Sequence, residues 1–180
     1  MKALLDACVL YPTVMREILL SVAAKGLFTP LWSDRILEEW ARAARKLGPQ
    51  GEGQARGEIA MLRAGFPNAS IGNWQGVAQR LYLSDENDIH VLAAAVVGGA
   101  DVIVTMNAKD FPRHVLAEEG LERADPDSFL WRLWSDHPDD VSQAVQDVRA
   151  QAERLSGEPW EVRRLLKKAR LPRLGKALAG

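Results

Sequence analysis

The sequence predicts an α/β fold with a parallel sheet, followed by a helical C-terminal extension. Two short apolar runs, at 2–6 and 101–105, have the length and continuous hydrophobicity of strands that are buried on both faces. Segments with apolar residues at helical spacing alternate with such runs, which is the order typical of parallel sheets. After Ser135 the patterns are helical and no further strand is expected. We therefore expect a sandwich domain over residues 1–134 and a helical extension over residues 135–180.

The first third of the chain predicts two strands, each followed by a helix. Residues 2–6 form the first strand, and Pro12 suits the first turn of the helix that follows. Gly26 is suited to end that helix. A second short strand is expected at 27–32, and Ser33 is a suitable N-cap for the next helix. This order places the end of each strand next to the start of a helix.

The middle of the chain predicts a turn-rich break, a helix and then a helix that leads into a strand. Residues 48–53 predict a turn-rich break and residues 58–64 a helix, on weak patterns. Residues 85–97 predict a helix that the glycine pair 98–99 ends. The apolar strand at 101–105 follows directly. A helix leading into a buried strand is the repeating unit of a parallel α/β sheet.

Composition predicts a soluble globular protein and excludes several kinds of site. The 180 residues are 47% hydrophobic and 26% charged, which is ordinary for a chain with a true core. The single cysteine, Cys8, excludes an intrachain disulfide and a cysteine metal site, and fits a cytoplasmic location. Asp6 comes too early for a signal peptide, and no apolar run is long enough to span a bilayer.

Charge is unevenly distributed along the chain, although the net charge is only −1. Residues 85–127 contain ten acidic and three basic residues, whereas residues 151–180 contain eight basic and three acidic residues. The basic segment has two interpretations, which can both hold. It is a rim that binds phosphates, or it is a solvated helix whose apolar side docks on the domain or on a partner.

Acidic residues fall where a parallel sheet places its ligands, at the carboxyl ends of the strands. Asp6 ends the first strand, and Asn107 and Asp110 follow the strand at 101–105. Asp85 and Asp88 open the helix before that strand and, three residues apart, share one helix face. Carboxylates are the ligands that Mg²⁺ and Mn²⁺ prefer, and converging acids without metal would repel one another. Acids also suit helix N-termini, so capping is an alternative for Asp85.

Four segments in order resemble the motifs of the PIN-domain family. They are 5–12 (LDACVLYP), 33–40 (SDRILEEW), 83–95 (LSDENDIHVLAAA) and 104–112 (VTMNAKDFP). The chain is most similar to the VapC-like toxins of bacterial type II toxin–antitoxin systems. The resemblance implies a three-layer α/β/α fold and hydrolysis of RNA, often structured RNA such as tRNA, with Mg²⁺ or Mn²⁺. It further implies a cytoplasmic homodimer that a small antitoxin protein inhibits.

The resemblance also implies a set of site residues. The matching positions for metal binding are Asp6, Glu39, Asp85, Asp88, Asn107 and Asp110, and those for catalysis are Asp6, Glu39, Asp88 and Asp110. Many family members have aspartate where this chain has Asn107. In the second motif Glu38 and Glu39 are adjacent, and we favour Glu39.

The resemblance implies a role for each of these residues. Asp6 and Asp88 bind the principal metal, and Glu39 orients or deprotonates the attacking water. Asp110 completes the metal shell with Asn107, and Asp85 supports a second metal. Two alternatives stay open: a housekeeping PIN nuclease that has no antitoxin, and a PIN fold that binds partners without catalysis.

Overall fold

The computed structural model describes residues 1–180. Its four strands are β1 (Lys2–Leu5), β2 (Thr29–Leu31), β3 (Val102–Val104) and β4 (Glu122–Ala124). They form one sheet in the order β2-β1-β3-β4, and all three strand pairs are parallel. The expected α/β class with a parallel sheet is therefore confirmed.

Helices account for most of the remaining chain. The α-helices are α1 (Ala7–Leu10), α2 (Thr13–Ala24), α3 (Asp34–Ala43), α4 (Gly51–Gly65), α5 (Gln75–Ala78), α6 (Ile89–Gly98), α7 (Arg113–Glu118), α8 (Pro126–Asp136), α9 (Pro138–Ser156), α10 (Val162–Lys168) and α11 (Pro172–Leu178). Short 3₁₀ helices cover Ala44–Leu47, Glu86–Asp88 and Ala108–Asp110. None of the helices combines the length and the apolar character needed to cross a bilayer.

The chain forms two compact units. The sheet unit comprises Met1–Tyr11 and Thr29–Ala124, and the helical unit comprises Pro12–Phe28 and Asp125–Gly180. In the sheet unit, α6 packs on β1 and β3. In the helical unit, α2 packs on α9, and the rings of Phe28 and Phe129 meet edge to face with centroids 5.0 Å apart. The domain boundary expected between residues 134 and 135 stays a prediction.

The register of the sheet decides which side chains meet at its carboxyl edge. Leu5 on β1 pairs with Val104 on β3, and both are fully buried. The next residues, Asp6 and Thr105, therefore leave the sheet side by side. The sequence predicts that two buried strands end at these positions, and the structure shows that the two strands are neighbours.

Two local expectations differ from the structure. The helix expected at 85–97 begins as an α-helix only at Ile89, so Asp85 and Asp88 do not share an α-helical face. Asp85 instead caps the 3₁₀ turn that precedes α6, accepting a hydrogen bond from the backbone N of Asn87. The break expected at 48–53 is also too long, because α4 already begins at Gly51. A Cβ at Gly51 would lie 2.1 Å from the carbonyl oxygen of Ala44, so this glycine permits a close approach.

Candidate active site

Asp6 is the most firmly held acid at the carboxyl edge of the sheet. Its side chain is 5% exposed, and its Oδ1 accepts a hydrogen bond of 2.7 Å from the backbone N of Ala7. Its Oδ2 accepts a bond of 2.8 Å from the Thr105 hydroxyl and one of 3.4 Å from the Cys8 thiol. These donors fix both carboxylate oxygens. The Thr105 hydroxyl thus links the residue after β3 to the residue after β1.

Two opposing effects act on the pKa of Asp6. Burial raises the pKa, and the negative charge of Glu39 raises it further, whereas the hydrogen bonds from Thr105, Cys8 and Ala7 lower it. Burial has the largest effect, so the pKa of Asp6 lies above its ordinary value. A buried carboxyl with a raised pKa holds its charge at a cost, which a nearby positive charge would relieve.

Cys8 and Thr105 link Asp6 to the loop that follows β3. The Thr105 hydroxyl accepts a bond of 3.0 Å from the backbone N of Asn107, and the Cys8 sulfur accepts one of 3.3 Å from that of Met106. Burial, followed by the charge of Asp6, raises the pKa of the Cys8 thiol to about 11. The thiol therefore stays protonated and serves as a donor rather than a nucleophile. This role of Cys8 was not expected from the sequence.

Asp88 is the point at which the acids converge. The pKa of this half-buried carboxyl is raised to about 6, first by burial and then by the negative charges of Asp6, Asp85, Asp110 and Glu39. Carboxylates from four separate segments of the chain thus act on one group. The fold thus brings these acids near enough to Asp88 to influence its charge, which the linear sequence cannot show.

Asn107 and Asp110 lie on the short loop after β3. Asn107 is exposed and precedes the 3₁₀ helix that contains Asp110. Arg123 on β4 holds this loop, because its guanidinium donates to the carbonyl oxygens of Ala108 and, at 2.7 Å, of Phe111. The role of Arg123 was not expected from the sequence, because β4 lacks an apolar run and was not predicted as a strand.

The adjacent glutamates Glu38 and Glu39 on α3 have different surroundings. Glu38 forms ion pairs of 2.9 Å with Arg56 and 3.0 Å with Arg42, and hydrogen bonds from these arginines lower its pKa to about 2. Glu39 instead contributes negative charge to both Asp6 and Asp88. Of the two, only Glu39 acts on the acidic cluster in this way, which agrees with the preference for Glu39.

One carboxylate oxygen of Glu39 lies close to a histidine and an arginine. Its Oε1 lies 2.7 Å from Nε2 of His90 and 3.7 Å from Nε of Arg35. The His90 contact is not an aligned hydrogen bond, and neither ring nitrogen of this buried imidazole has a hydrogen-bond partner. The Trp74 ring lies 5.9 Å from both the His90 ring and the Arg35 guanidinium. The spacing of residues along the chain does not reveal that Trp74 and Arg35 lie near Glu39 and His90.

The donors of the cluster are oxygens, but they do not form a closed cage. In this structure no three side chains of His, Cys, Asp or Glu are placed to hold a metal ion directly. The residues that could contribute oxygen ligands are Asp6, Glu39, Asp85, Asp88, Asn107 and Asp110. An open set of hard donors fits Mg²⁺, which commonly keeps several waters and takes only one or two protein carboxylates.

Comparison with known proteins supplies one match. Neither the curated proteins nor the solved structures include a match to this chain. The family described as PIN domain matches residues 2–109, which is more than half of the chain. The matched range contains all the predicted site residues except Asp110.

Proposed function

This chain belongs to the PIN-domain family, whose members are typically metal-dependent nucleases, and we propose that it is an endoribonuclease that hydrolyses RNA with Mg²⁺ or Mn²⁺. The observation that carries the proposal is the electrostatic environment of Asp88. Four other carboxylates raise its pKa, and no basic group among its main influences offsets them. A site with this excess of negative charge favours a divalent cation over a neutral ligand.

The metal ligands we propose are Asp6 and Asp88, supplemented by Asp110 and Asn107, with Asp85 supporting a second ion. A bound divalent cation would offset phosphate charge and make water more acidic. The amide of Asn107 can coordinate through its oxygen but adds no charge. Because no three of the acidic side chains are placed to hold one ion directly, we expect part of the ligand shell to be water.

Asp6 is suited to a fixed role in this site. Its carboxylate accepts hydrogen bonds from Ala7, Thr105 and Cys8, so its orientation is set before any ligand arrives. Ligands held by surrounding hydrogen bonds lose less freedom on binding and orient the metal better. We propose that this preorganisation makes Asp6 the anchor of the principal metal.

Glu39 is suited to act on the attacking water. Its side chain is 40% exposed, so the carboxylate can reach water, while Nε2 of His90 and Nε of Arg35 lie 2.7 and 3.7 Å from one of its oxygens. We propose that Glu39 orients or deprotonates the water that attacks phosphorus. Glu38 has no part in this step, because its carboxylate is occupied by Arg42 and Arg56.

Incubation with total tRNA tests the proposal. Wild-type protein with Mg²⁺ or Mn²⁺ is expected to give discrete fragments, and chelator is expected to abolish them. Asp6→Asn keeps the shape of the side chain but removes its charge, so it should give no fragments. Asp136→Asn on α8, which changes an exposed aspartate outside the cluster, is the matched control and should cut normally. Cutting that persists in chelator or in Asp6→Asn would contradict the proposal.

We further propose that the nuclease is the toxin of a bacterial toxin–antitoxin pair, acting in the cytoplasm as a homodimer. Support comes from the similarity of the four motifs to VapC-like toxins. Expression of the wild type should arrest growth, and Asp6→Asn should not. A small upstream reading frame for an antitoxin should accompany the gene and restore growth. Active enzyme that leaves growth unaffected would favour the housekeeping nuclease, and a protein with neither activity would favour a non-catalytic binding module.

A further inference from the structure

The helical unit carries an exposed basic surface whose charges are unpaired. We define the C-terminal basic face as Arg163, Arg164, Lys167, Lys168, Arg170, Arg173 and Lys176, all of which are exposed. None of the seven forms an ion pair with a carboxylate. In the sheet unit, by contrast, Arg42, Arg45 and Arg56 are each paired with a glutamate. Charges without intramolecular partners are free to meet an external anion.

The apolar side of the same segment already has its partners within the helical unit. Leu165, Leu166, Leu171 and Leu174 are buried, and α11 packs on α10 and α8. The close approach depends on Gly175, where a Cβ would lie 3.2 Å from that of Leu166. Of the two interpretations of the basic segment, docking of the apolar side is therefore satisfied by the chain itself. The cationic side still requires an explanation.

Four of the cations line a cleft between α10 and α11. The cleft has a volume of about 370 Å³ and is lined by Arg163, Arg164, Lys167, Lys176, Pro172 and Glu161. The single acid is already engaged, because its carboxylate accepts bonds of 2.8 Å from the backbone N of Arg163 and of Arg164. Glu161 keeps its negative charge, but four cations against one anion leave the cleft positively charged.

Aromatic rings hold three cations of the basic face in place. The Arg164 guanidinium and the Lys168 ammonium lie 5.7 and 5.0 Å from the ring centre of Trp160. The Arg173 guanidinium lies 3.6 Å from that of Trp131. Cation–π contacts restrict these long side chains without neutralising them. A restricted cation loses less entropy when it binds an anion.

We propose that the cleft and the C-terminal basic face around it bind the phosphate backbone of RNA. The choice of RNA as the anion rests on the proposed function. Polyanions bind such surfaces because each contacted phosphate releases condensed counterions. The sheet unit carries the acidic cluster, which repels phosphate, so a separate cationic surface gives the protein affinity for its substrate.

Binding is measured by fluorescence anisotropy with a fluorescein-labelled 20-nucleotide single-stranded RNA and with tRNA, both in chelator so that nothing is cut. The test variant is the double substitution Lys167→Gln/Lys176→Gln in the cleft. Its matched control is Lys25→Gln/Lys46→Gln, which removes the same charge from two exposed lysines outside the basic face. The cleft variant should bind about tenfold more weakly. Its plot of log affinity against log salt should be shallower by about two.

A third variant tests whether weaker RNA binding results from loss of folding. Arg170 has a left-handed backbone with φ 62°, a conformation that glycine adopts freely. Arg170→Gly should therefore raise or preserve the Tm while it weakens RNA binding. Weaker binding in a protein whose Tm is unchanged or raised does not come from loss of folding.

The outcomes separate this inference from the nuclease proposal. Equal binding by the cleft variant and the control variant overturns the inference, even if the protein cuts RNA. Unchanged RNA binding by the cleft variant also overturns it, and would point to an acidic protein as the partner of this surface. Selective loss of binding in the cleft variant supports it, even for a protein that shows no cutting.

Discussion

Nε2 of His90 lies 2.7 Å from Oε1 of Glu39, although the imidazole side chain is 1% exposed and the carboxylate 40%. A buried ring thus lies against one oxygen of a carboxylate that reaches solvent, without an aligned hydrogen bond to it. His90→Leu should lower kcat for RNA cleavage roughly tenfold to a hundredfold, with little change in KM, because it releases the proposed base rather than a substrate contact. His114→Leu, an exposed histidine on α7, is the control. A purely structural role would predict a lower Tm with unchanged kcat in the folded fraction.

The two adjacent glutamates of α3 give a sharp comparison. Glu39→Gln should reduce cleavage at least a hundredfold, since a neutral amide can neither deprotonate water nor replace the charge. Glu38→Gln should keep nearly full activity, because that carboxylate is occupied by Arg42 and Arg56 on the exposed surface. Measured rates with equal losses in both variants, or with the larger loss in Glu38→Gln, would show that the assignment is wrong.

The raised pKa of Asp88 predicts a pH dependence of activity. With a pKa of about 6, this carboxyl is largely protonated below pH 6 and cannot bind metal as an anion. Cleavage should therefore fall as the pH drops through this region. Since metal and proton compete, raising the Mg²⁺ concentration should move the midpoint to lower pH. A midpoint that does not move with Mg²⁺ would argue against Asp88 as a ligand.

The same shift predicts how pH changes stability without metal. An unperturbed aspartate has a pKa of 3.8, whereas Asp88 in the folded chain has a pKa of about 6. As the pH rises, the unfolded chain therefore loses this proton at a lower pH than the folded chain does. The stability contribution of Asp88 is therefore fully present below pH 3.8 and is lost by about pH 6. Asp88→Asn should raise the Tm clearly at pH 8 and hardly at pH 4, in chelator. A matched scan of Asp136→Asn should show no such dependence.

Bound metal should remove the destabilising effect that the charge of Asp88 has on the wild type at high pH. If a divalent cation neutralises the cluster, Mg²⁺ or Mn²⁺ should raise the Tm of the wild type at pH 8 through preferential binding to the folded state. The increase should be smaller for Asp88→Asn, which has lost one charged ligand. Thermal scans with and without the ion provide the measurement, and equal increases in both proteins would contradict the ligand assignment.

The sequence predicts much of the framework of the site but not its surroundings. Asp6 and Thr105 could be placed at one edge of the sheet because buried strands are recognisable from continuous apolar residues, and parallel strands end at one edge. That their two strands are neighbours is known only from the structure. The β4 strand was missed because Glu122–Ala124 has no apolar run. Arg123, which holds the loop of Asp110, was missed with it.

The contacts around Glu39 depend on residues far apart in the chain. Arg35, Trp74 and His90 belong to three separate segments, and no local pattern signals that they meet. His90 lies within the third motif, but the motif does not indicate that it meets Glu39. The choice between Glu38 and Glu39 likewise required their partners in space, since helical spacing alone places adjacent residues on neighbouring faces.

The most direct test of the account is the rate of RNA cleavage as Mn²⁺ is titrated into wild type, Asp88→Asn and Asp136→Asn. The account predicts that wild type and Asp136→Asn are activated to the same saturating rate, whereas Asp88→Asn stays at least a hundredfold slower at every Mn²⁺ concentration, because the position where the acids converge has lost its charge. Wild-type rates in Asp88→Asn, or cleavage by all three proteins that does not depend on Mn²⁺, would contradict it.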